Sequence, residues 1–397
     1  MVTRRRLLTI AASVPFLSAT ELERRIARRD FRGLTREDLP TPSMILDLDL
    51  FEKNLRRMDA HSRKTGLGLR AHVKIHKSAE IAKRQTALGA MGVCCATIAE
   101  CELMVGSGIK GVLFTCQPSG KNKIQRSAAL ARKDPTFHCV VDDPIIARQL
   151  DEASAAAGAR TNVCVDVFAG LTRQGCPPGR PALELAQLVD SSKHLRLAGL
   201  MAYSGDASHT KTWEARKKKS ENDLAGMLET AELCKKSGLR TEIRTGGSTG
   251  TYNIDAGSLT ELQAGSYIFM DTAYKKIGGK SSDQVYEDFD LSLTVMTTVV
   301  SKTRPGICSI DAGNKATLRP TDQVKGRADV KVENQGAEYG MLLWRDGDRD
   351  FGVGDRVELY PSNLDTSTNV FDRYYIARGD SIVDAWPIMG RAGAAQR

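Results

Sequence analysis

The run Arg70-Ala71-His72-Val73-Lys74-Ile75-His76-Lys77 holds the residues best placed to do chemistry. An apolar, strand-like stretch from Leu67 to Val73 delivers Lys74 just ahead of a polar segment that reads as a helix start. A lysine at the end of a buried strand sits where desolvation and neighbouring cations lower its pKa, as a Schiff-base lysine requires. Arg70, His72, His76 and Lys77 predict a positive local field around it. A basic strand end that faces solvent is the competing reading. A second run, Thr245-Gly246-Gly247-Ser248-Thr249-Gly250-Thr251, offers backbone N–H groups and hydroxyls to a phosphate without side-chain bulk. Taken alone, it also reads as a mobile glycine loop.

These residues need a scaffold, and the chain supplies a regular one. Eight strand-like segments are expected at 68–74, 92–97, 111–116, 136–142, 161–168, 195–203, 240–245 and 261–268. Helical segments fill most gaps, among them Ser78 to Leu88, Ala99 to Val105, Pro144 to Ala157 and Trp213 to Lys236, and several end at glycine. Continuously apolar strands such as Val112-Leu113-Phe114 suit burial on both faces. Eight such units predict a (β/α)₈ barrel of the TIM type over 50–289. An open doubly wound sheet competes, but no GxGxxG follows the first strand. From 290 to 391 the segments become short and β-prone, separated by turns such as Asp346-Gly347-Asp348, which predicts a smaller C-terminal all-β domain. Asp322 to Gly326 reads as loop. A strand at 41–49 is expected to join the two domains, and 21–36 reads as a charged amphipathic helix.

In a barrel the working residues gather at the C-terminal strand ends, with phosphate near strands seven and eight. Lys74 ends the first strand, Thr97 the second, and Asp166 lies in the fifth, followed by Arg173. Tyr203 ends the sixth with His209 just beyond; Gly265-Ser266-Tyr267 lies near the eighth. A Schiff-base lysine, a phosphate cradle and an arginine for a ring nitrogen are together what pyridoxal 5'-phosphate needs.

The chain has 397 residues, 41% hydrophobic and 26% charged, an ordinary soluble composition. Of its formal charge of +9, residues 1–35 hold eight arginines against three acids. No later basic tract is interleaved with aromatics, which argues against nucleic-acid binding. Thr3-Arg4-Arg5-Arg6-Leu7-Leu8, followed by an apolar run to Ala19, resembles a twin-arginine signal. Residues 1–20 are therefore expected to be a signal segment that exports a folded, cofactor-loaded protein to the periplasm. An ordinary basic helix on a cytoplasmic protein is the alternative. The run is too short for stable membrane insertion. The nine cysteines show no CxxC or zinc spacing and are expected as buried free thiols.

Several motifs carry a resemblance to a known family. The Arg70 to Lys77 run, Gly92-Val93-Cys94-Cys95-Ala96-Thr97, Ala202-Tyr203, Thr245 to Tyr252 and Glu261 to Asp271 are similar to the D-threonine aldolase and D-serine dehydratase group. The similarity runs from about Thr41 to Ile388. It implies the alanine-racemase fold, with Lys74 bearing pyridoxal phosphate. It also implies that Arg173 approaches the pyridine nitrogen, that Thr249, Gly265 and Ser266 bind phosphate, and that Tyr203 and Tyr274 line the cofactor. Thr97 is a looser match. His209 falls where the aldolases place a candidate base for the substrate hydroxyl; a surface histidine is the bland alternative. Metal-using members carry His-x-Asp or His-x-Cys where this chain has Asn363-Leu364-Asp365. An Asn carbonyl and a carboxylate remain compatible with a divalent cation such as Mg²⁺ or Mn²⁺, or they only shape a turn.

The expected activity is cleavage of D-β-hydroxy-α-amino acids to glycine and an aldehyde. Dehydration of D-serine or 3-hydroxyaspartate, or racemisation, is the alternative on the same fold. A non-catalytic cofactor-binding protein is disfavoured by the β domain. The expected partners are a small amino-acid substrate and a second copy of the chain.

Overall fold

The computed structural model describes residues 17–319, 321–345 and 350–391. The expected signal segment falls almost wholly outside the described residues, and the Asp346-Gly347-Asp348 turn does so entirely. The first helix, α1 (Ala19–Ala27), is capped by Ser18, whose hydroxyl accepts from the Glu21 N–H. It ends earlier than its charge pattern suggests, because Arg29 turns left-handed (φ 54°) and the chain bends at Gly33.

A strand β1 (Ser43–Asp47) leads into α2 (Leu48–Thr65), whose N-cap is Asp47 and whose C-cap is left-handed Gly66. The barrel follows: β2 (Gly68–His72), β3 (Gly92–Cys95), β4 (Val112–Phe114), β5 (His138–Val141), β6 (Thr161–Asp166), β7 (Leu195–Ala202), β8 (Ile243–Gly246) and β9 (Glu261–Leu262). All eight run parallel, and β9 pairs back onto β2 to close the ring. Outside it lie α3 (Ala79–Ala87), α4 (Ile98–Gly106), α5 (Lys121–Lys133), α6 (Pro144–Ala157), α7 (Arg180–Ser191) and α8 (Trp213–Lys236). Cys94, Leu113, Val140, Cys164 and Met201 fill the barrel interior, while neighbours such as Val93, Cys95 and Val163 pack outward against the helices. All nine cysteines are unpaired, and all but Cys116 are buried.

The strands are shorter than the apolar runs that announced them. At β2 the ladder stops at His72, whose Nδ1 accepts the Lys74 N–H at 3.3 Å and starts a 3-10 turn, Val73–Ile75. At β9 it stops at Leu262, and Ser266–Ile268 turns instead.

Arg70 corrects one expectation. It does not contribute to a basic cluster at the strand end. Its side chain points into the barrel and grips Glu261 of β9, Nε to Oε1 at 2.7 Å and Nη2 to Oε2 at 2.9 Å, with Nη1 on the Gly111 carbonyl.

The C-terminal domain comprises β10 (Leu293–Arg304), β11 (Ile307–Ile310), β12 (Gln323–Val324), β13 (Lys331–Asn334), β14 (Gly340–Leu343), β15 (Arg356–Tyr360), the short α9 (Leu364–Ser367), β16 (Arg373–Arg378) and β17 (Ser381–Pro387). The main sheet runs β13-β14-β11-β10-β1-β16-β17, with β15 beside β10. β1 therefore lies inside this sheet, antiparallel to β10 and parallel to β16. Part of the stretch read as loop, Gln323–Val324, forms a two-residue ladder with β15. Among the described residues, no helix is long and apolar enough to cross a membrane.

Candidate active site

Lys74 leaves the barrel mouth in the Val73–Ile75 turn and opens onto a cavity of about 190 Å³. His72, Ala96, Thr115, Cys116, Arg173, Gln174, Met201, Tyr203 and Gln263 complete its wall, drawn from the C-terminal ends of several strands. Two wider recesses lie on the β domain away from this mouth, one at Lys325 and Phe351 and one at Thr41 and Tyr339.

The Lys74 amine stands 3.5 Å from Asp365 Oδ2 on α9. Burial pulls its pKa down, but Tyr203 and Asp365 outweigh burial and Arg173, and hold it above the ordinary lysine value. This reverses the sign expected from the run of basic residues. One of the two groups that raise it, the Asp365 carboxylate, comes from the other end of the chain. Asp365 Oδ1 is buried and accepts no hydrogen bond among the described residues.

Three further side chains meet here. Arg173 lies over the Tyr203 ring, with its guanidinium carbon 5.5 Å from the centroid. Tyr203 Oη is 3.4 Å from Ser208 Oγ. His209 ends the Ala207–His209 turn, its ring 4.4 Å from that of buried Tyr274. Burial and then the Lys74 charge push the His209 pKa below its ordinary value, against the pull of Asp365. The shift favours the neutral imidazole, the form that accepts a proton, although the ring stays partly open to solvent.

The Gly/Ser/Thr run follows β8 as expected and is folded tightly. The Ser248 N–H donates to Thr251 Oγ1 at 3.0 Å and the Gly250 N–H to Ser248 Oγ at 3.2 Å. Thr249 is pinned on both sides: its Oγ1 accepts the Tyr267 N–H at 2.9 Å and its carbonyl accepts the Tyr286 hydroxyl at 2.6 Å. A Cβ on Gly265 would meet the His72 carbonyl at 2.7 Å, and one on Gly250 would collide with the Ser208 carbonyl. The buried Thr249 and Gly265 N–H groups donate to no acceptor among the described residues. Unpaired N–H groups in buried residues are rare, and donors of this kind in a glycine-rich turn suit a phosphate, although neither residue lines the 190 Å³ cavity itself. Together with Lys74 and Arg173, this set fits pyridoxal phosphate.

Two expected residues do other work. Thr97 is the N-cap of α4, accepting the Glu100 N–H at 3.2 Å while the Glu100 carboxylate accepts the Thr97 N–H. It is Ala96 that lines the cavity. Asn363 caps α9, its Oδ1 accepting the Thr366 N–H at 3.3 Å and the Thr366 hydroxyl at 3.2 Å. Among the described residues, no three of His, Cys, Asp and Glu gather as metal ligands.

Sequence reasoning placed Asp166 in a barrel strand ahead of Arg173 but missed the glutamines that hold it. Asp166 Oδ2 accepts from Gln117 Nε2 and Gln174 Nε2, both at 2.8 Å, and burial pushes its carboxyl up to about 7. The only signal for Gln174 was position, directly after Arg173; Gln117 gave none.

Comparison with known proteins bears on this geometry. The family model described as the N-terminal domain of alanine racemase matches residues 46–273, and one described as a serine dehydratase domain matches 292–377. A 3-hydroxy-D-aspartate aldolase of Paracoccus denitrificans (strain Pd 1222) is 33% identical over 367 residues, 90% of this chain and 94% of the relative. A D-threonine aldolase of Arthrobacter sp is 35% identical over 355 residues, 88% and 92% respectively. The crystal structure of D-threonine aldolase from Filomicrobium marinum superposes with a TM-score of 0.86 at 34% identity, covering 90% of this chain and 97% of that one.

Proposed function

The chain belongs to the family of the alanine racemase N-terminal domain, and from that premise we propose that it is a pyridoxal-phosphate-dependent lyase cleaving D-β-hydroxy-α-amino acids to glycine and an aldehyde. The observation that carries this reading is the Lys74 amine at the cavity wall, 3.5 Å from the Asp365 carboxylate, with His209 near enough to feel both charges. When bound, the cofactor supplies the electron sink for the carbanion left on the amino-acid Cα. Lys74 anchors it. Arg173 holds a fixed positive charge at the cavity wall, and Thr249, Gly265 and Ser266 take the phosphate. His209 removes the β-hydroxyl proton at a ring nitrogen, which lets the Cα–Cβ bond break and the aldehyde leave. Tyr203, Met201 and Cys116 keep water from that wall.

The test is incubation with D-threonine, D-3-hydroxyaspartate, D-serine and D-alanine, following aldehyde, pyruvate and loss of optical rotation. Aldehyde with glycine is expected. Pyruvate or oxaloacetate alone would make the chain a dehydratase, and lost rotation alone a racemase.

For a divalent cation, the donors on offer are oxygens: Asp365 Oδ1, without a partner among the described residues, and Asn363 Oδ1, already accepting from Thr366. That set suits a weakly held hard ion such as Mg²⁺ better than one that seeks nitrogen.

We also propose export through the twin-arginine segment; Arg4→Lys with Arg5→Lys should leave the protein in the cytoplasm, and undiminished periplasmic recovery would refute it. Exposed Val300 and Tyr339 bordering the Thr41 recess support a homodimer, which sedimentation would detect as twice the chain mass.

A further inference from the structure

Lys77 lies one turn beyond Lys74, is 5% exposed and sits at φ 52°, a left-handed conformation that lysine seldom adopts. Its ammonium has three donors, and the fold supplies three acceptors. These are the Lys74 carbonyl, the Asp365 carbonyl at 3.2 Å and Thr368 Oγ1 at 3.0 Å. Its own carbonyl accepts the Met389 and Gly390 N–H groups, both at 3.0 Å. Gly390 packs so closely that an added Cβ would lie 3.1 Å from Lys77 Cβ and 3.3 Å from Glu100 Cγ. One residue therefore touches the turn that bears Lys74, the helix that bears Asp365 and the C-terminal segment. Among the described residues, no carboxylate pairs with it at ion-pair distance, which is unusual for a buried ammonium.

We propose that Lys77 is a positioning residue: its ammonium ties the Lys74 turn to α9 and so fixes where the Lys74 amine meets the Asp365 carboxylate. A plain salt bridge would not do this, since a carboxylate partner would neutralise the charge without gripping two backbones. Carbonyl acceptors instead register one main chain against another, and the charge-assisted bonds are about twice as strong as neutral ones. The charged or titratable groups around Lys77 are Lys74, His72 and His76 on its own segment, Glu100 on α4 and Asp365 on α9.

The inference rests on Lys74 as the cofactor-bearing lysine and not on which bond the enzyme breaks. Lys77→Met keeps the aliphatic stem and deletes the donors. Thr368→Val keeps Lys77 and deletes one acceptor, and Thr368→Ser restores it. In the apoprotein, amide exchange across 363–368 should quicken about 10-fold in Lys77→Met as α9 loses its tether. In the loaded enzyme, kcat should fall about 100-fold with KM nearly unchanged, the penalty for misplacing a reacting group by about 1 Å. The pH midpoint of the cofactor's visible absorbance should rise, because removing a positive neighbour lets the Lys74 nitrogen hold its proton longer. Thr368→Val should shift all three readouts the same way by a smaller amount, with Thr368→Ser returning them. Unchanged exchange, kcat and midpoint in Thr368→Val, or in a folded Lys77→Met, would overturn the proposal. Borohydride trapping in each variant shows whether the cofactor still sits on Lys74, which separates failure of that assignment from failure of this one.

Discussion

Lys74→Ala should remove the visible absorbance of bound cofactor while leaving the far-ultraviolet circular dichroism intact, since the residue sits in an open turn and caps nothing. Reductive trapping on Lys77 in the native enzyme would move the site by one turn. His209, the proposed base, should set the acid side of the activity. Its pKa lies below 6.5 in the folded chain, so it stays neutral to lower pH than a free imidazole. The acid limb of kcat/KM should therefore fall below pH 6.5, and His209→Gln should lose about 10²–10⁴-fold and flatten that limb. An acid limb that persists in the variant would place the base elsewhere. The same shift makes native His209 bind fewer protons than the unfolded chain below pH 6.5, so its contribution to stability is lost as pH drops through its folded pKa. For the cation, activity should fall with EDTA and return only at high Mg²⁺ or Mn²⁺. Asn363→His should lower the Mn²⁺ needed, and Asp365→Ala should abolish the response. Full activity after prolonged chelation, with no metal in the purified protein, would show that His209 acts alone.

The elements carry a different lesson. Glycine-closed helices and apolar strands made the barrel readable, because each unit writes its own start and stop in local chemistry. What sequence could not show is which distant side chains meet. Arg70 looked like part of a basic strand end. Its partner Glu261 lies 191 positions away, and the two face each other only once β9 closes on β2. Asp365 and Lys74 escaped notice as a pair for the same reason, and that pairing, with Tyr203, reversed the expected shift of the lysine. Asn363 and Thr97, by contrast, are read correctly only when their helices are seen, since both spend their oxygens on caps. Arg70→Met should cost about 3–5 kcal/mol in urea unfolding, because it strands the buried Glu261 carboxylate. Arg70→Met with Glu261→Leu should recover most of that loss. If the single variant unfolds like the wild type, the pair is not what closes the ring.

At the scale of the molecule, barrel and β domain are not consecutive beads. β1 pairs along four residues with β10 and four with β16, so a fragment spanning 290–391 lacks a central strand of its own sheet. Expressed alone, that fragment should show no cooperative melting transition. A sharp transition with native-like dispersion in its NMR spectrum would mean that the sheet tolerates the gap.

The placement of β1 also bears on how the chain is made. Met44, Ile45 and Leu46 are buried in the finished sheet, and although Leu34, Leu39 and α2 lie close by in sequence, 245 residues separate Asp47 from Leu293, where the strand that pairs with β1 begins. At about 5–20 residues per second a ribosome needs roughly 12–50 s to bridge that interval. Throughout it the nascent chain carries an apolar strand with both hydrogen-bonding edges open beside a barrel that is still assembling. Translation speed and holdase supply should therefore govern the yield of this protein more than its final stability does, and slow decoding between these strands should send more of it into inclusion bodies.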